Sequence, residues 1–219
     1  MRQGGHKKMK KYMKTLLGVI MSAMLLFAFA GCGGSSSSGS PEDEAVAALD
    51  ETLQAFQSAD LERISQINGV GDALTEGGLD SDLTQSVLIC MFGHFEYELS
   101  EPEKVDDSHV NVPAKVSNVD MEVAANAWFA NMMEYSMENA AEEDDAALQE
   151  NAMAMLQDAI DATAEEENGI RSEDVVFPMV LEDGIWIISD DMDESVVDAM
   201  LGGFMTVMAD MSSLADEQE

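Results

Sequence analysis

The residues of this 219-residue chain whose types could do chemistry include two cysteines, three histidines, 18 methionines and 44 acids. Zinc needs His and Cys in closely spaced pairs, and nucleophilic catalysis needs a Cys or Ser with a base to take its proton. Cys32 follows the small residues Ala30 and Gly31, whereas Cys90 lies in the apolar run Val87-Leu88-Ile89-Cys90-Met91-Phe92, the setting of a buried, inert thiol. His6 lies near the amino terminus, and His94 and His109 stand at the ends of predicted strands, where exposed imidazoles are expected. No Ser-His-Asp order, Cys-His pairing, glycine-rich phosphate loop or zinc spacing is present. Thioethers suit Cu(I), and 13 methionines follow Cys32. Yet Met200, Phe204, Met208 and Met211 continue a helical stripe from Val196, which is the pattern of a packed or partner-facing helix. The acid runs Glu142 to Asp145 and Asp190 to Glu194 lack the spaced Asp/Asn-plus-Gly loop of a calcium site. The expectation is no metal, no cofactor and no catalytic residue.

Charge divides the chain into two unequal pieces. The net charge of −34 combines residues 1–31, which hold six basic residues and no acid, with residues 32–219, where four basic residues face all 44 acids for a net −40. A polyanion of this size is repelled by nucleic acid and by anionic lipid headgroups, which excludes nucleic-acid binding. The basic stretch Arg2 to Lys14 precedes an uncharged run of 15 residues, Leu16 to Ala30. That order is the order of a secretory signal, and the run falls short of the roughly 20 residues of a membrane-spanning helix. Phe29-Ala30-Gly31-Cys32 resembles the lipobox of bacterial lipoproteins, with Phe29 where an aliphatic residue is usual. The resemblance implies signal cleavage between Gly31 and Cys32, palmitate-type acyl chains on a diacylglyceryl group at Cys32, and a lipid-anchored location on the extracytoplasmic face of the cell membrane. Two acyl chains, at ~0.8 kcal/mol per buried CH₂, hold stably where one does not. Lipidation would leave Cys90 with no second thiol, hence no internal disulfide. Gly33 to Ser40, all Gly and Ser, reads as a flexible spacer.

The elements that would position a site follow from periodicity. Ser40-Pro41-Glu42-Asp43-Glu44 combines an N-cap, a proline at the first helical position and acids in the first turn, so a helix starts there and carries Val46, Leu49, Leu53 and Phe56 on one stripe. Asp60 opens a second helix with Leu61, Ile64 and Ile67 on one face, stopped by Asn68-Gly69, and Gly69 to Gly78 reads as a glycine-rich connection. Between Asp80 and Phe92 the spacing of Leu83, Val87 and Met91 favours helix over buried strand. Phe95, Tyr97 and Leu99 then alternate with polar residues, as do Val110, Val112, Ala114 and Val116, which predicts an antiparallel pair of half-buried strands. Pro113 pushes the second of them toward an edge or a bulge. Residues 120–167 contain neither Gly nor Pro and read as helical, two helices bending near Glu142 to Asp145. Val175 to Leu181 and Ile185 to Ile188 flank Asp183-Gly184, a hairpin whose strands are apolar on both faces and therefore belong at the centre of the sheet. The whole predicts an α+β fold, a curved antiparallel sheet of about four strands packed on helices, with a long helical insertion between the two hairpins. The fate of the segment after Asp190, interrupted by Gly202-Gly203, and the oligomeric state are left open.

In this order the motifs resemble those of bacterial lipoproteins carrying a nuclear transport factor 2-like (cystatin-like) domain. They are the lipobox at Cys32, the turn Gln57-Ser58-Ala59-Asp60-Leu61-Glu62, the strand Phe95 to Leu99, the strand ending Val116-Ser117-Asn118-Val119-Asp120, and Leu181-Glu182-Asp183-Gly184-Ile185-Trp186-Ile187-Ile188. The domain organisation is then signal peptide 1–31, Gly/Ser tether 32–41, nuclear transport factor 2-like domain 42–190 and acidic helical extension 191–219. The resemblance implies a cone-shaped fold enclosing an apolar cavity that relatives use for small-ligand binding or, in a minority, proton-transfer catalysis. Catalysis would need an Asp, Glu or His on the inward strand faces, where Tyr97 is the one titratable group. A non-catalytic binding module is thus expected, with Phe95, Tyr97, Phe177 and Trp186 lining the cavity for a small apolar ligand or helping to dock a partner. The competing expectation is an envelope-interaction protein whose cavity is filled by its own side chains, with the acidic surface and the C-terminal Met/Phe stripe contacting a cationic or apolar protein.

Overall fold

A computed structural model describes residues 39–66, 81–138 and 145–216. The predicted signal, the cleavage site Gly31/Cys32, most of the tether, Ile67 to Gly78 and the acids Glu142 to Asp144 lie outside them. Seven helices and five strands follow in chain order within the described residues. They are α1 (Pro41–Gln57), α2 (Leu61–Gln66), α3 (Ser81–Phe92), β1 (Glu96–Leu99), β2 (Glu103–Lys104), β3 (His109–Val119), α4 (Met121–Glu138), α5 (Asp145–Ala164), β4 (Ile170–Glu182), β5 (Ile185–Ile188), α6 (Glu194–Met200) and α7 (Phe204–Asp216).

α1 begins where its sequence says it must. The Ser40 hydroxyl accepts from the Asp43 amide at 3.3 Å while the Asp43 carboxylate accepts from the Ser40 amide, a reciprocal capping box ahead of Pro41. Ala45, Leu49, Leu53 and Phe56 are buried and Val46 is partly so, which seats the helix on the sheet. Ala59, at φ 46°, takes the left-handed turn after α1, and Asp60 accepts the Glu62 and Arg63 amides at 3.1 Å to open α2.

The sheet is antiparallel throughout, ordered β1-β3-β4-β5, with β2 beside β3 past the end of β1. It curls into a half-barrel around the helices, an α+β arrangement consistent with a cystatin-like cone. Alternation decides its faces as expected. Val110, Val112, Ala114 and Val116 of β3, Val175, Phe177 and Met179 of β4, and Trp186 and Ile188 of β5 are buried, whereas Glu96, Glu98, Lys115 and Asp174 face water. Asp183-Gly184 makes the two-residue turn, at φ 50° and 84°, both positive as a type I′ turn demands.

Two strand placements differ from the expectation. β3, despite Pro113, is central and pairs with β4 over eleven residue pairs from His109↔Val180 to Val119↔Ile170. In an antiparallel strand a residue's N–H and C=O point to the same side. Pro113 accepts from the Ser100 amide at 2.8 Å, so its missing N–H also faces β1. There the edge pairing breaks: the register passes from Leu99↔Ala114 to Glu103↔Asn111, with one extra residue in the edge strand. The irregularity falls on the neighbour of the proline strand, and β3 stays in the middle. β5, expected centrally, is an edge strand paired only with β4 among the described residues.

The residues after Asp190 fold onto the rest. Asp193 caps α6, Gly202 and Gly203 take positive φ to turn the chain, and α7 follows, so the stripe is split over two helices. Val196, Met200, Leu201, Phe204 and Met208 join the same core as the sheet. Asn118, 3 % exposed at the end of β3, fastens this arrangement: its side-chain amide donates to the Met91 carbonyl at 2.8 Å and the Met200 carbonyl at 2.7 Å. Those are carbonyls at the C-terminal ends of α3 and α6, which have no partner within their own helices.

Candidate functional site

An open cleft of about 840 Å³ lies between α1, the start of α2 and the edge strand β1. α1 supplies Asp50 and Gln54 from one face, spaced four residues apart, while alternation on β1 turns Tyr97 and Leu99 toward them. The Tyr97 hydroxyl donates to the Asp50 carboxylate at 2.7 Å, and Gln54 Nε2 donates to the other Asp50 oxygen at 2.8 Å. Arg63 of α2 reaches the same cleft and makes no ion pair among the described residues. It is one of only four basic residues after the predicted signal. The wall thus offers a guanidinium, a carboxylate held by two donors, carboxamides and a modest apolar strip of Val46, Leu99 and Pro102.

Burial pushes the Tyr97 phenol up to about 12, helped by its hydrogen bond to Asp50 and that carboxylate's charge. The phenol is therefore a fixed donor at neutral pH. The ring stacks on Phe95 at 6.0 Å, Phe95 meets Phe92 edge-on at 5.8 Å, and Phe92 meets Phe56 at 4.9 Å. A line of aromatics runs from the cleft into the core and holds Tyr97 in place.

The four residues expected to share a cavity are separated. Tyr97 borders the cleft, while Phe95, Phe177 and Trp186 are packed in the core at 1 %, 0 % and 4 % exposure. Trp186 Nε1 is buried without a hydrogen-bond partner among the described residues. Sequence reasoning missed Asp50, Gln54 and Arg63. The signal available was local: Asp50 and Gln54 are helical neighbours, and Arg63 is a rare cation in an acidic chain.

Cys90 heads a second polar chain, away from the cleft. Its thiol donates to Gln157 Oε1 at 2.9 Å, Gln157 Nε2 donates to Asp161 at 3.0 Å, and His94 contacts the same Asp161 oxygen at 2.8 Å. The order places the carboxylate between imidazole and amide, so the imidazole cannot take the thiol proton. Burial, with Asp161 adding to it, pushes the thiol from an ordinary 9.0 up to about 11. His109 pairs with Asp106 on an exposed turn. Two pKa units leave about 100-fold less thiolate, of which the higher nucleophilicity of a more basic thiolate recovers roughly tenfold, so at pH 8 buried Cys90 is expected to react with a disulfide reagent at least about tenfold more slowly in the folded protein than in urea. Equal rates would show that the thiol is neither buried nor held.

The chain matches no protein-family model and no curated protein. Among solved structures it is similar to a protein of Bacillus subtilis, YcdA, described as a candidate lipoprotein: identity is 15 %, the TM-score 0.42, and the match covers 71 % of this chain and 57 % of that one. The chain therefore spans little more than half the length of that neighbour. No described helix is long and apolar enough to cross a membrane.

Proposed function

We propose that this chain is an extracytoplasmic lipoprotein, anchored in the cell membrane by acyl chains on Cys32, whose domain is a nuclear transport factor 2-like binding module without a catalytic role. The anchor rests on the sequence order of basic stretch, apolar run, Gly31-Cys32 and Gly/Ser spacer. Acidity makes a covalent lipid the reasonable attachment, since a net charge of −40 after residue 31 opposes adsorption to an anionic surface. Cys90 and Tyr97 are both shifted away from neutrality, so neither is poised as an acid or base near pH 7, which agrees with a non-catalytic reading at those two residues.

The cleft between α1, α2 and β1 is the binding site in this reading, which one observation supports: Arg63, in no ion pair among the described residues, shares the cleft with the Tyr97–Asp50–Gln54 chain. Oriented donors and acceptors beside a short apolar strip suit a small molecule with both polar and apolar parts. Native mass spectrometry of protein extracted from its own membranes tests both halves. The expected chain begins at Cys32 with a diacylglyceryl mass and retains a noncovalent small molecule that Arg63→Ala loses. A chain still carrying residues 1–31 would sink the anchor. A clean apo mass with no uptake of an apolar dye would sink the binding module.

A further inference from the structure

α4 carries three of the seven large apolar side chains that stand exposed among the described residues, Val123, Met133 and Met137. It lies against α5, tied by the Trp128 Nε1 donation to the Ala152 carbonyl at 3.0 Å, and buries Met121 and Ala124. Its outward side carries Val123, Asn126, Ala130, Met133 and Met137. The spacing of 3, 4, 3 and 4 is that of a helix-packing seam, and it continues for about 21 Å at 1.5 Å per residue. Val123, Met133 and Met137 are 37 %, 44 % and 76 % exposed. Methionine is the side chain that adapts most readily to an incoming apolar surface.

Charge identifies the occupant. From Lys115 to Arg171 the sequence contains fourteen acids and no Lys or Arg in between. Glu122 and Glu134 flank the seam and are exposed. A second copy would bring the same acids to the same seam with no cation to meet them, and two polyanions would have to approach. A partner helix with an apolar stripe and flanking Lys or Arg would bury the methionines and neutralise the acids together.

We propose that the outward face of α4 docks a cationic amphipathic helical peptide. This surface is separate from the α1–α2–β1 cleft, and neither the anchor nor the cleft ligand is needed for it. The probe is a fluorescein-labelled Leu/Lys amphipathic helix, titrated by anisotropy into the chain after Gly31 carrying Cys32→Ser, which keeps every described residue and needs no detergent. Saturable binding is expected, weakened at least about tenfold by Met133→Gln with Met137→Gln and weakened again by added salt. Both methionines are exposed, and an unchanged thermal melt confirms that the double variant is folded. A scrambled Leu/Lys peptide of the same composition, unable to form an apolar stripe, is expected to bind at least about tenfold more weakly. Equal binding of the scrambled peptide overturns the proposal in favour of charge alone, as does binding unaffected by the double variant. A dimer seen by sedimentation without peptide, and lost on Met133→Gln with Met137→Gln, overturns it in favour of a second copy.

Discussion

Asn118→Ala is expected to cost about 3–5 kcal/mol of folding stability, more than a typical polar substitution. The carboxamide donates to the Met91 carbonyl and the Met200 carbonyl, and its own oxygen accepts the Val119 amide at 2.8 Å. All of this occurs at a position 3 % exposed, where water cannot replace the lost partners. Truncation leaves two buried carbonyls and one amide without that partner, at about 1–3 kcal/mol for each unsatisfied group, before any cavity is counted. Asn118→Asp separates polarity from chemistry, because it preserves the shape but turns the donor into an acceptor facing two carbonyl oxygens. It should be at least as damaging as alanine. Urea unfolding with an unchanged m-value would give both numbers, and a loss under about 1 kcal/mol for the two variants would mean that the amide does not hold α3 and α6 to β3.

Gly202→Ala is expected to approach the same size by a different route, about 3 kcal/mol or more. Gly202 has φ 62°, and a Cβ there would stand 1.9 Å from the Val119 carbonyl oxygen. That oxygen belongs to the backbone of β3 and cannot turn aside, while the Gly202 carbonyl is itself bonded to the Met121 amide at 2.9 Å. The internal control is Gly184→Ala. Gly184 has φ 84° with no atom of the described residues within 4 Å of the point where the alanine methyl would stand, so only the left-handed backbone cost of about 1–2 kcal/mol applies. Equal losses at the two glycines would remove the contact with Val119 as the cause. A selective rise in proteolysis after Met200 in Gly202→Ala would locate the damage at the turn between α6 and α7.

These two sites sit where the carboxyl-terminal helices meet β3, and neither announces itself in the sequence. Asn118 reads as one polar residue near the end of a strand; its importance depends on two helix ends, 27 and 82 residues away, that come together beside it. Gly202-Gly203 reads as a weak point in a helix, and the reason for the first glycine is the Val119 carbonyl on a strand far earlier in the chain. The cleft has the same character. Tyr97 is legible as a titratable group on an inward strand face, but Asp50 and Arg63 matter only because α1 and α2 are laid beside β1.

What the sequence determined by itself is whatever depends on neighbours within a few residues. The capping box at Ser40 starts α1, the Asp183-Gly184 turn closes its hairpin, alternation sorts each strand into an inner and an outer face, and helical spacing marks α1 and α3. These are satisfied by local hydrogen bonds and by the 2.0 and 3.6 residue periods, so they can be read from the chain directly. Tertiary structure decided the rest, because a strand's place in a sheet depends on which other segment satisfies its backbone. Ile185 to Ile188 is apolar on both faces and is nonetheless an edge strand. Pro113 sits in a central strand because its missing N–H faces the point where the edge pairing breaks.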